Sequence, residues 1–226
     1  MEHDFYGIGN VFARGKMQLF PPISFSLKTS KVRRSAVRRG SERAVEQMTR
    51  EEAVQRLCEI YQGSFDIRLC GEDELPLAAQ MDFYANSSKY VLSKKAKLWE
   101  ANSFEYVYLF SVPHLTKEIY DTCEKLAYDQ GMARIKPGPN HMYTYITALF
   151  VCDSCDEEAR KALKRCKLYK SFRMSYWGWM DFHAALAVLP EESVSTNRSG
   201  HSAAQVLNRG LFHKQKKKLF RKERAL

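Results

Sequence analysis

Two long apolar runs, at residues 106–112 and 143–151, constrain the fold of this chain more than any other feature. The first run is aromatic or β-branched at almost every position, which is typical of β-strands. Because polar residues do not alternate along it, we expect a central strand that is covered on both faces. Between the two runs, apolar residues follow a helical spacing from a Thr116 cap to Gly131. The sequence therefore predicts two buried strands with a crossover helix between them.

Shorter signals surround this centre. Thr49 and Glu52 match a capping box that opens a first helix to about residue 62, and Ser154 and Glu157 match a second one. Short strands are predicted at 65–69, 79–85, 89–92, 96–99, 169–176 and 181–189. Strands cluster early and late, with two crossover helices between them. The pattern predicts an α+β fold, a single domain in which about three to four helices cover a mixed β-sheet.

The excess positive charge lies at the two ends of the chain. The formal net charge is +10, yet residues 28–43 hold seven basic and one acidic side chain, and residues 209–226 hold eight and one. We therefore predict a globular domain at 48–208 between a basic disordered arm at 1–47 and a basic flexible tail at 209–226. Alternatively, translation starts at Met48, just before the first capping box. Basic ends suit polyanions such as nucleic acid, although they are also typical of solubilising tails.

The cysteines and the hydropathy suggest a compartment. The chain has six cysteines and no apolar run of about 18 residues, so the sequence predicts no transmembrane helix. Three of the cysteines fall on apolar helix faces, where a free thiol acts as a small hydrophobic group. Unpaired cysteines favour the reducing cytoplasm. Cys152 and Cys155 form a Cys-x-x-Cys pair expected to follow a strand and open a helix, which would lower a thiol pKa and permit redox chemistry. Neither a cofactor, a metal site nor an oligomeric state follows from the sequence.

A first candidate binding segment lies at residues 90–100. It brings together Lys94, Lys95, Lys97 and Trp99. On a hairpin, such a segment offers charge for phosphates and a ring for base stacking, as single-stranded nucleic acids require. The same lysines would also protect an edge strand from aggregation while Trp99 packs in the core. The tail adds Lys216, Lys217 and Lys218, which lie between two apolar pairs and would form a basic helix on an anionic surface.

A second candidate segment lies at residues 169–183. Arg173 and Trp177 could take part in the same nucleic-acid binding. Asp181 and His183 are two residues apart on a predicted strand, so they share a face, and the carboxylate could orient the imidazole. That pair could act in acid–base catalysis or form half of a metal site. A Trp-Gly-Trp turn packed on the sheet, with a surface histidine, explains the same residues without function.

These segments also carry a resemblance. The motif from Tyr90 to Ala101, Glu105 to Val107, Tyr169 to Phe172, and the later Gly178-Trp179 and Thr196-Asn197-Arg198 resemble an uncharacterised family of bacterial cytoplasmic proteins, mostly from Gram-positive anaerobes. The resemblance spans about residues 48–208 and implies a bacterial source. Its motifs are tied to no chemistry, so it implies no activity, cofactor or catalytic residue.

The sequence leaves open whether the protein is an enzyme. Gly-rich phosphate loops, Gly-x-Ser-x-Gly and His-Glu-x-x-His are absent from it. The favoured hypothesis is a soluble binding or accessory protein with weak nucleic-acid association through its basic tails. The alternative is a metal- or redox-dependent enzyme centred on Asp181 and His183 or on Cys152 and Cys155.

Overall fold

The strands of the protein form one mixed sheet. The structure is a computed structural model that describes residues 48–90 and 97–213, with side chains at 48–87 and 100–213. The strands are β1 (Asp66–Leu69), β2 (Leu77–Tyr90), β3 (Lys97–Leu115), β4 (His141–Cys155), β5 (Tyr169–Ser171), β6 (Trp179–Val188) and β7 (Ser193–Thr196). The helices are α1 (Arg50–Tyr61), α2 (Lys117–Arg134), α3 (Glu157–Arg165) and α4 (His201–Leu207). The predicted arm at 1–47 and most of the tail lie outside the described residues.

The sheet order is β1-β2-β3-β4-β6-β5, with β7 also paired to β6. Strands β3, β4 and β6 run parallel to one another, and the other pairs are antiparallel. Strands β5 and β7 share the outer edge of β6, because β5 pairs with residues 179–181 and β7 with residues 185–188. The described residues belong to one compact unit. The predicted α+β domain with a mixed sheet and helical cover is confirmed.

Each face of the sheet has its own hydrophobic core. Helices α2 and α3 pack on one face, where Tyr120 and Leu163 meet Phe110, Phe150 and Phe182. Helices α1 and α4 pack on the other face. There, their buried residues meet alternate residues of the same central strands: Ala53, Leu57, Ala203 and Leu207 against Val107, Leu149, Val151, Ala185 and Ala187. The two long apolar runs are therefore central strands covered on both sides, as their composition predicts.

Local capping signals are borne out at two helices and wrong at two others. Thr49 Oγ1 accepts from the Glu52 amide at 3.2 Å, and the Glu52 carboxylate accepts from the Thr49 amide at 3.0 Å. Thr116 caps α2 through the Ile119 amide. Ser154 does not cap α3, because β4 continues through it and Asp156 takes the N-cap position. The sequence also predicts Ser202 as the N-cap of a last helix, but Gly200 takes that position before α4.

Strands β2 and β3 are longer than the strands that the sequence predicts, because the two pair with each other. The four short strands predicted between 79 and 112 merge with their neighbours into β2 and β3, which pair almost throughout. Pro113 does not end β3, which continues to Leu115 beside β4. Strand β2 begins at Leu77, opposite Phe110, so β3 is an edge on that side beyond this point. Proline is tolerated where no neighbouring strand needs its missing N–H.

The chain continues past the predicted boundary at 208 into a π-helical turn, Asn208–Phe212. Leu211 of this turn is buried in the core beneath α1 and α4. A side chain in place of Gly210 would meet Ile60 of α1, so this turn approaches α1 closely. The chain is thus held against the body at least this far, and residues 214–226, which include Lys216, Lys217 and Lys218, lie outside the described residues.

Helix α2 crosses the sheet at short range. A Cβ at Gly131 would lie 2.6 Å from the Ile146 side chain, so only glycine allows this approach to β4. The sequence predicts that this helix ends at Gly131; this is wrong, because the helix continues to Arg134. Among the described helices, none has both the length and the apolar character needed to cross a bilayer.

Candidate functional site

The amino-terminal half of β4 and β6 carries polar and aromatic side chains, whereas the middle of β4 and the carboxyl-terminal half of β6 are apolar. Cross-strand register aligns these residues in rows, and residues directly opposite each other project to the same face. One row runs from β2 to β5: Phe83, Glu105, Tyr145, Asp181 and Tyr169. The next row toward the strand ends holds Ala85, Ser103, Tyr143, Trp179 and Ser171. The row on the other side holds Met81, Val107, Thr147 and His183.

These rows lie on the face that α1 and α4 cover farther along the strands, because Val107 and Met81 belong to that core. We call the group formed by Glu105, Tyr143, Tyr145, Trp179, Asp181 and His183 the aromatic–acid face. Tyr143, Tyr145 and Trp179 are half-buried in it. None of the residues in the three rows is a lysine or an arginine.

The rings of the aromatic–acid face contact one another. Tyr143 and Tyr145 stack with their centroids 4.6 Å apart, and Trp179 lies 5.9 Å from Tyr143. The His183 imidazole lies over Tyr145 at 4.5 Å between centroids. The half-buried rings of these two neighbouring rows therefore form one aromatic cluster, which offers hydrophobic area and those ring faces that the other rings do not cover.

His183 is buried but only weakly paired. Its Nε2 lies 4.0 Å from Asp181 Oδ2, beyond hydrogen-bond distance, and its Nδ1 has no hydrogen-bond partner among the described residues. Burial lowers the pKa of the imidazole, and the Asp181 charge opposes this shift only in part. A buried polar atom without a partner is rare in proteins and carries a free-energy cost.

Glu105 is the second carboxylate of the face. Thr147 donates a 2.8 Å hydrogen bond to Glu105 Oε1. Burial raises the pKa of Glu105, and the Thr147 hydrogen bond only partly offsets this. Burial, with the charges of Tyr143, Asp181 and Glu105, also raises the pKa of Tyr145. These groups are therefore close enough to influence one another's ionisation.

The sequence indicated only part of this site. Asp181 and His183 were singled out, and the structure places both on one face. Glu105, Tyr145 and Thr147 were missed. Alternation in residues 143–147 puts Tyr143, Tyr145 and Thr147 on one face and could have indicated them. Their meeting with Glu105 and Asp181 depends on the order of strands, which periodicity does not contain.

The first lysine-rich segment lies at the end of a two-stranded arm. Strands β2 and β3 stay paired beyond the start of β4, so that Lys89 faces Trp99 and Tyr90 faces Lys97. A shift in register between residues 89 and 90 interrupts strict alternation there. The structure thus places Lys97 and Trp99 in β3, while Lys94 and Lys95 lie outside the described residues.

The second segment is a strained loop, not a strand. Only Tyr169–Ser171 pairs as β5, because Arg173, Met174 and Ser175 all have positive φ angles of 46–67°. This conformation costs about 1–2 kcal/mol per non-glycine residue. The predicted strand at 169–176 is therefore wrong beyond Ser171. Arg173 lies over the Trp177 ring at 4.9 Å from its centroid, so these two candidates contact each other on the loop.

The arm and the loop border one depression of about 300 Å³. Glu100 and Ala101 come from the base of the arm, and Ser175 and Gly178 come from the loop. Trp179 also lines it and connects it to the aromatic–acid face. The two segments that the sequence singled out separately therefore meet at the same end of the sheet.

The cysteine pair lies elsewhere, at the carboxyl end of β4. Cys152 and Cys155 both belong to β4, and α3 begins only at Glu157, so the pair does not open a helix. Burial raises the pKa of Cys152 to about 12 and also raises that of Cys155. This direction is the opposite of the shift that redox activity requires. All six cysteines lie in the described residues and are unpaired.

The described residues hold no group of three or more His, Cys, Asp or Glu side chains placed to bind a metal ion. Asp181 and His183 thus remain a pair there, without a third ligand beside them.

Comparison with known proteins gives one match. A family model described as a domain of unknown function (DUF8052) matches residues 49–209. Neither the curated proteins nor the solved structures gave a match. The family model spans α1 to the first residues of the π-helical turn, and so includes every residue of the aromatic–acid face.

Proposed function

The chain belongs to the DUF8052 family of unknown function, and from the structure we propose that it is a binding protein that holds an organic cation on the aromatic–acid face. The observation that carries this proposal is one row of the sheet. In it, Glu105 and Asp181 occupy the positions on either side of Tyr145. An ammonium or guanidinium group bound at this row would lie between two carboxylates, beside the Tyr145 ring that Tyr143 and His183 already contact.

The chemistry of the face favours a cation over an anion. Ring faces attract cations by about 0.5–2 kcal/mol, more as the site excludes water. Carboxylates accept charge-assisted hydrogen bonds from ammonium groups. Because the three rows contain two carboxylates and no lysine or arginine, a phosphate placed there would meet negative charge and no basic side chain of these rows.

The test compares matched cationic and neutral ligands by isothermal titration calorimetry. Choline and 3,3-dimethylbutan-1-ol have nearly the same shape, but only choline is charged. Butylamine and butan-1-ol form a second such pair. We expect each cation to bind at least about tenfold more tightly than its neutral partner, as about 1.4 kcal/mol of cation–π and ionic attraction would give. Equal affinity within both pairs, or no binding by either cation, would refute the proposal.

Variants then locate the site. Asp181→Asn and Tyr145→Leu should each weaken cation binding about tenfold while the neutral ligand is unaffected. Asp129→Asn and Tyr176→Leu are matched controls, because both side chains are exposed and lie away from the three rows. If the controls weaken binding as much as the site variants do, the cation binds elsewhere.

Weak association with nucleic acid is a second candidate function. It is supported by the basic and aromatic residues of the arm and of the Arg173 loop, which border one depression, although neither Arg173 nor Trp177 lines it. The basic tail would add to it. Binding of a fluorescent single-stranded RNA by the full chain should then weaken steeply with salt. Replacing Lys216, Lys217 and Lys218 by Gln should lower the slope by about two to three. If the salt dependence of binding is the same in this variant, the tail does not take part in RNA binding.

The location proposed for the protein is the cytoplasm. Six unpaired cysteines support it, since such thiols persist in reducing compartments. Cell fractionation tests this, and recovery with secreted or surface proteins would contradict it.

A further inference from the structure

A serine, a histidine and an aspartate form a hydrogen-bonded line at the carboxyl ends of β3 and β4. His114 of β3 and Ser154 of β4 are register partners on these parallel strands. His114 Nδ1 lies 2.7 Å from Ser154 Oγ, and His114 Nε2 lies 3.0 Å from Asp156 Oδ1. The three side chains are exposed, so reagents can reach them.

The chemistry of the three groups sets the direction of both hydrogen bonds. A carboxylate only accepts, so the proton of the neutral imidazole lies on Nε2 and is donated to Asp156. The lone pair of Nδ1 then faces Ser154, whose hydroxyl donates to it. The imidazole is thus oriented by an acid and placed to take the serine proton. This is the relation among nucleophile, base and orienting group that activates a serine.

The backbone holds this line in place. Ser154 lies in β4 and His114 in β3, and the Asp156 amide donates to the Leu115 carbonyl at 3.0 Å. Asp156 is also the N-cap residue of α3, but its side chain makes no capping hydrogen bond. The carboxylate that would ordinarily satisfy the helix amides is instead committed to His114. The first turn of α3 therefore lacks its side-chain cap next to Ser154.

We propose that Ser154 is a nucleophile for acyl transfer and hydrolyses small, unhindered carboxylic esters, independently of the aromatic–acid face. The carboxyl ends of parallel strands are where α/β sheets place ligands. The exposed setting of the line leaves Ser154 open to small substrates, so the substrate class is short-chain acyl esters.

The reaction balances with these residues and water. Ser154 Oγ attacks the carbonyl carbon as its proton passes to His114 Nδ1, and an oxyanion forms. The C–O bond of the ester then breaks, and the leaving alkoxide takes the proton from Nδ1 and departs as the alcohol. Water attacks the acyl-serine by the same route, with its proton passing to Nδ1 and then to Ser154 Oγ. The carboxylic acid is released, and no oxidant or reductant is needed.

Fluorophosphonate labelling of the full chain tests the nucleophile. The expected result is one phosphonyl group on Ser154, located by peptide mass spectrometry, with release of one fluoride. Ser154→Ala should abolish the label, and Ser64→Ala, a matched change at an exposed serine after α1, should not alter it. Labelling of Ser154 no faster than of Ser64 would overturn the proposal.

The roles of the other two residues have separate readouts. His114→Ala should slow labelling at least about 100-fold, the usual contribution of a general base, and added imidazole should restore part of the rate. Asp156→Asn should slow labelling at least as strongly, because the new amide can donate to Nε2 and hold the imidazole proton on Nδ1, the tautomer that cannot accept from Ser154. Thermal melts check that each variant folds. Labelling that does not depend on His114, or a folded His114→Ala variant that imidazole does not rescue, would show that the line is only a structural contact.

Turnover of p-nitrophenyl acetate completes the test. A burst of p-nitrophenol equal to the protein concentration, lost in Ser154→Ala, is the expected sign of an acyl-enzyme. Hydrolysis at the same rate in Ser154→Ala would contradict the mechanism.

Discussion

Two histidines are buried in the same half of the sheet, yet their surroundings differ. His141 Nδ1 donates to the Trp177 carbonyl at 2.7 Å, and its Nε2 accepts from Thr144 Oγ1 at 2.8 Å. His183 makes no hydrogen bond through Nδ1, and its Nε2 is 4.0 Å from a carboxylate. Both side chains are at least nine-tenths buried. Both ring nitrogens of His141 thus have hydrogen-bond partners among the described residues, whereas those of His183 do not.

The difference separates a structural from a functional use of the same residue. His141 stacks on Phe104 and meets the edge of Phe172, so it joins β3, β4 and the loop before β6. It also holds the loop in which Gly178 has a φ of +76° and would clash with His141 if it carried a Cβ. His183 instead lies among the rings and acids of the aromatic–acid face. An unsatisfied buried group carries a free-energy cost that binding of a ligand can remove.

The largest expected effect on stability comes from replacing His141, the histidine with both hydrogen bonds. His141→Leu leaves the Trp177 carbonyl and the Thr144 hydroxyl without their partner and loosens a loop with three strained residues. We expect the free energy of unfolding to fall by about 2–4 kcal/mol. Urea denaturation at pH 7 measures this change. A loss below about 1 kcal/mol would mean that His141 does not anchor the loop. The structural role that distinguishes it from His183 would then be wrong.

The unsatisfied histidine should matter less for stability but more for its pH dependence. His183→Phe keeps a ring on Tyr145, so at pH 8 we expect a change below about 1.5 kcal/mol. Burial lowers the pKa of His183. As the pH falls below the ordinary value of about 6.5, the unfolded chain therefore binds a proton that the folded chain refuses, and stability is lost.

The phenylalanine variant has no such proton to bind. Urea midpoints from pH 8 to pH 5 should consequently decline less steeply in His183→Phe than in the unchanged chain. Parallel declines in the two proteins would show that His183 titrates normally and is not desolvated.

Glu105→Gln should stabilise the protein at high pH, and by less than the stability that the two histidine variants are expected to lose. Burial raises the pKa of Glu105. As the pH rises above the ordinary glutamate value, the unfolded chain releases a proton that the folded chain keeps, and the unchanged protein loses stability. Gln avoids this loss and still accepts from Thr147. We expect a Tm higher by about 1–3 °C at pH 8 and equal to that of the unchanged chain at pH 4. A lower Tm of the variant at pH 8 would mean that the folded protein stabilises the ionised carboxylate of Glu105.

The smallest expected effect concerns the cysteine pair. Because the pKa of Cys152 is raised to about 12 and its side chain is buried, iodoacetamide at pH 8 should leave it unmodified in the folded protein. The denatured chain, in which every thiol reacts, is the control. Rapid alkylation of folded Cys152 would revive the redox hypothesis.

Local chemistry explains what could be predicted from the sequence. The capping box of Thr49 and Glu52, the Thr116 cap and the two central strands depend on residues within a few positions of one another. The shared face of Asp181 and His183 follows from the period of two along a strand. The α+β class follows from the order of these elements.

The site itself was decided by tertiary structure. Glu105, Tyr145 and Asp181 lie in one row only because β3, β4 and β6 are neighbours in a particular register, and His114 meets Ser154 for the same reason. The His141 imidazole, more than 30 residues earlier in the chain, donates to the Trp177 carbonyl of the loop in which residues 173–175 are left-handed. The sequence alone determined which residues share a face of one strand, since that is a local property. Which strands lie side by side is set by hydrogen bonds and core packing between distant segments, and only the folded chain shows it.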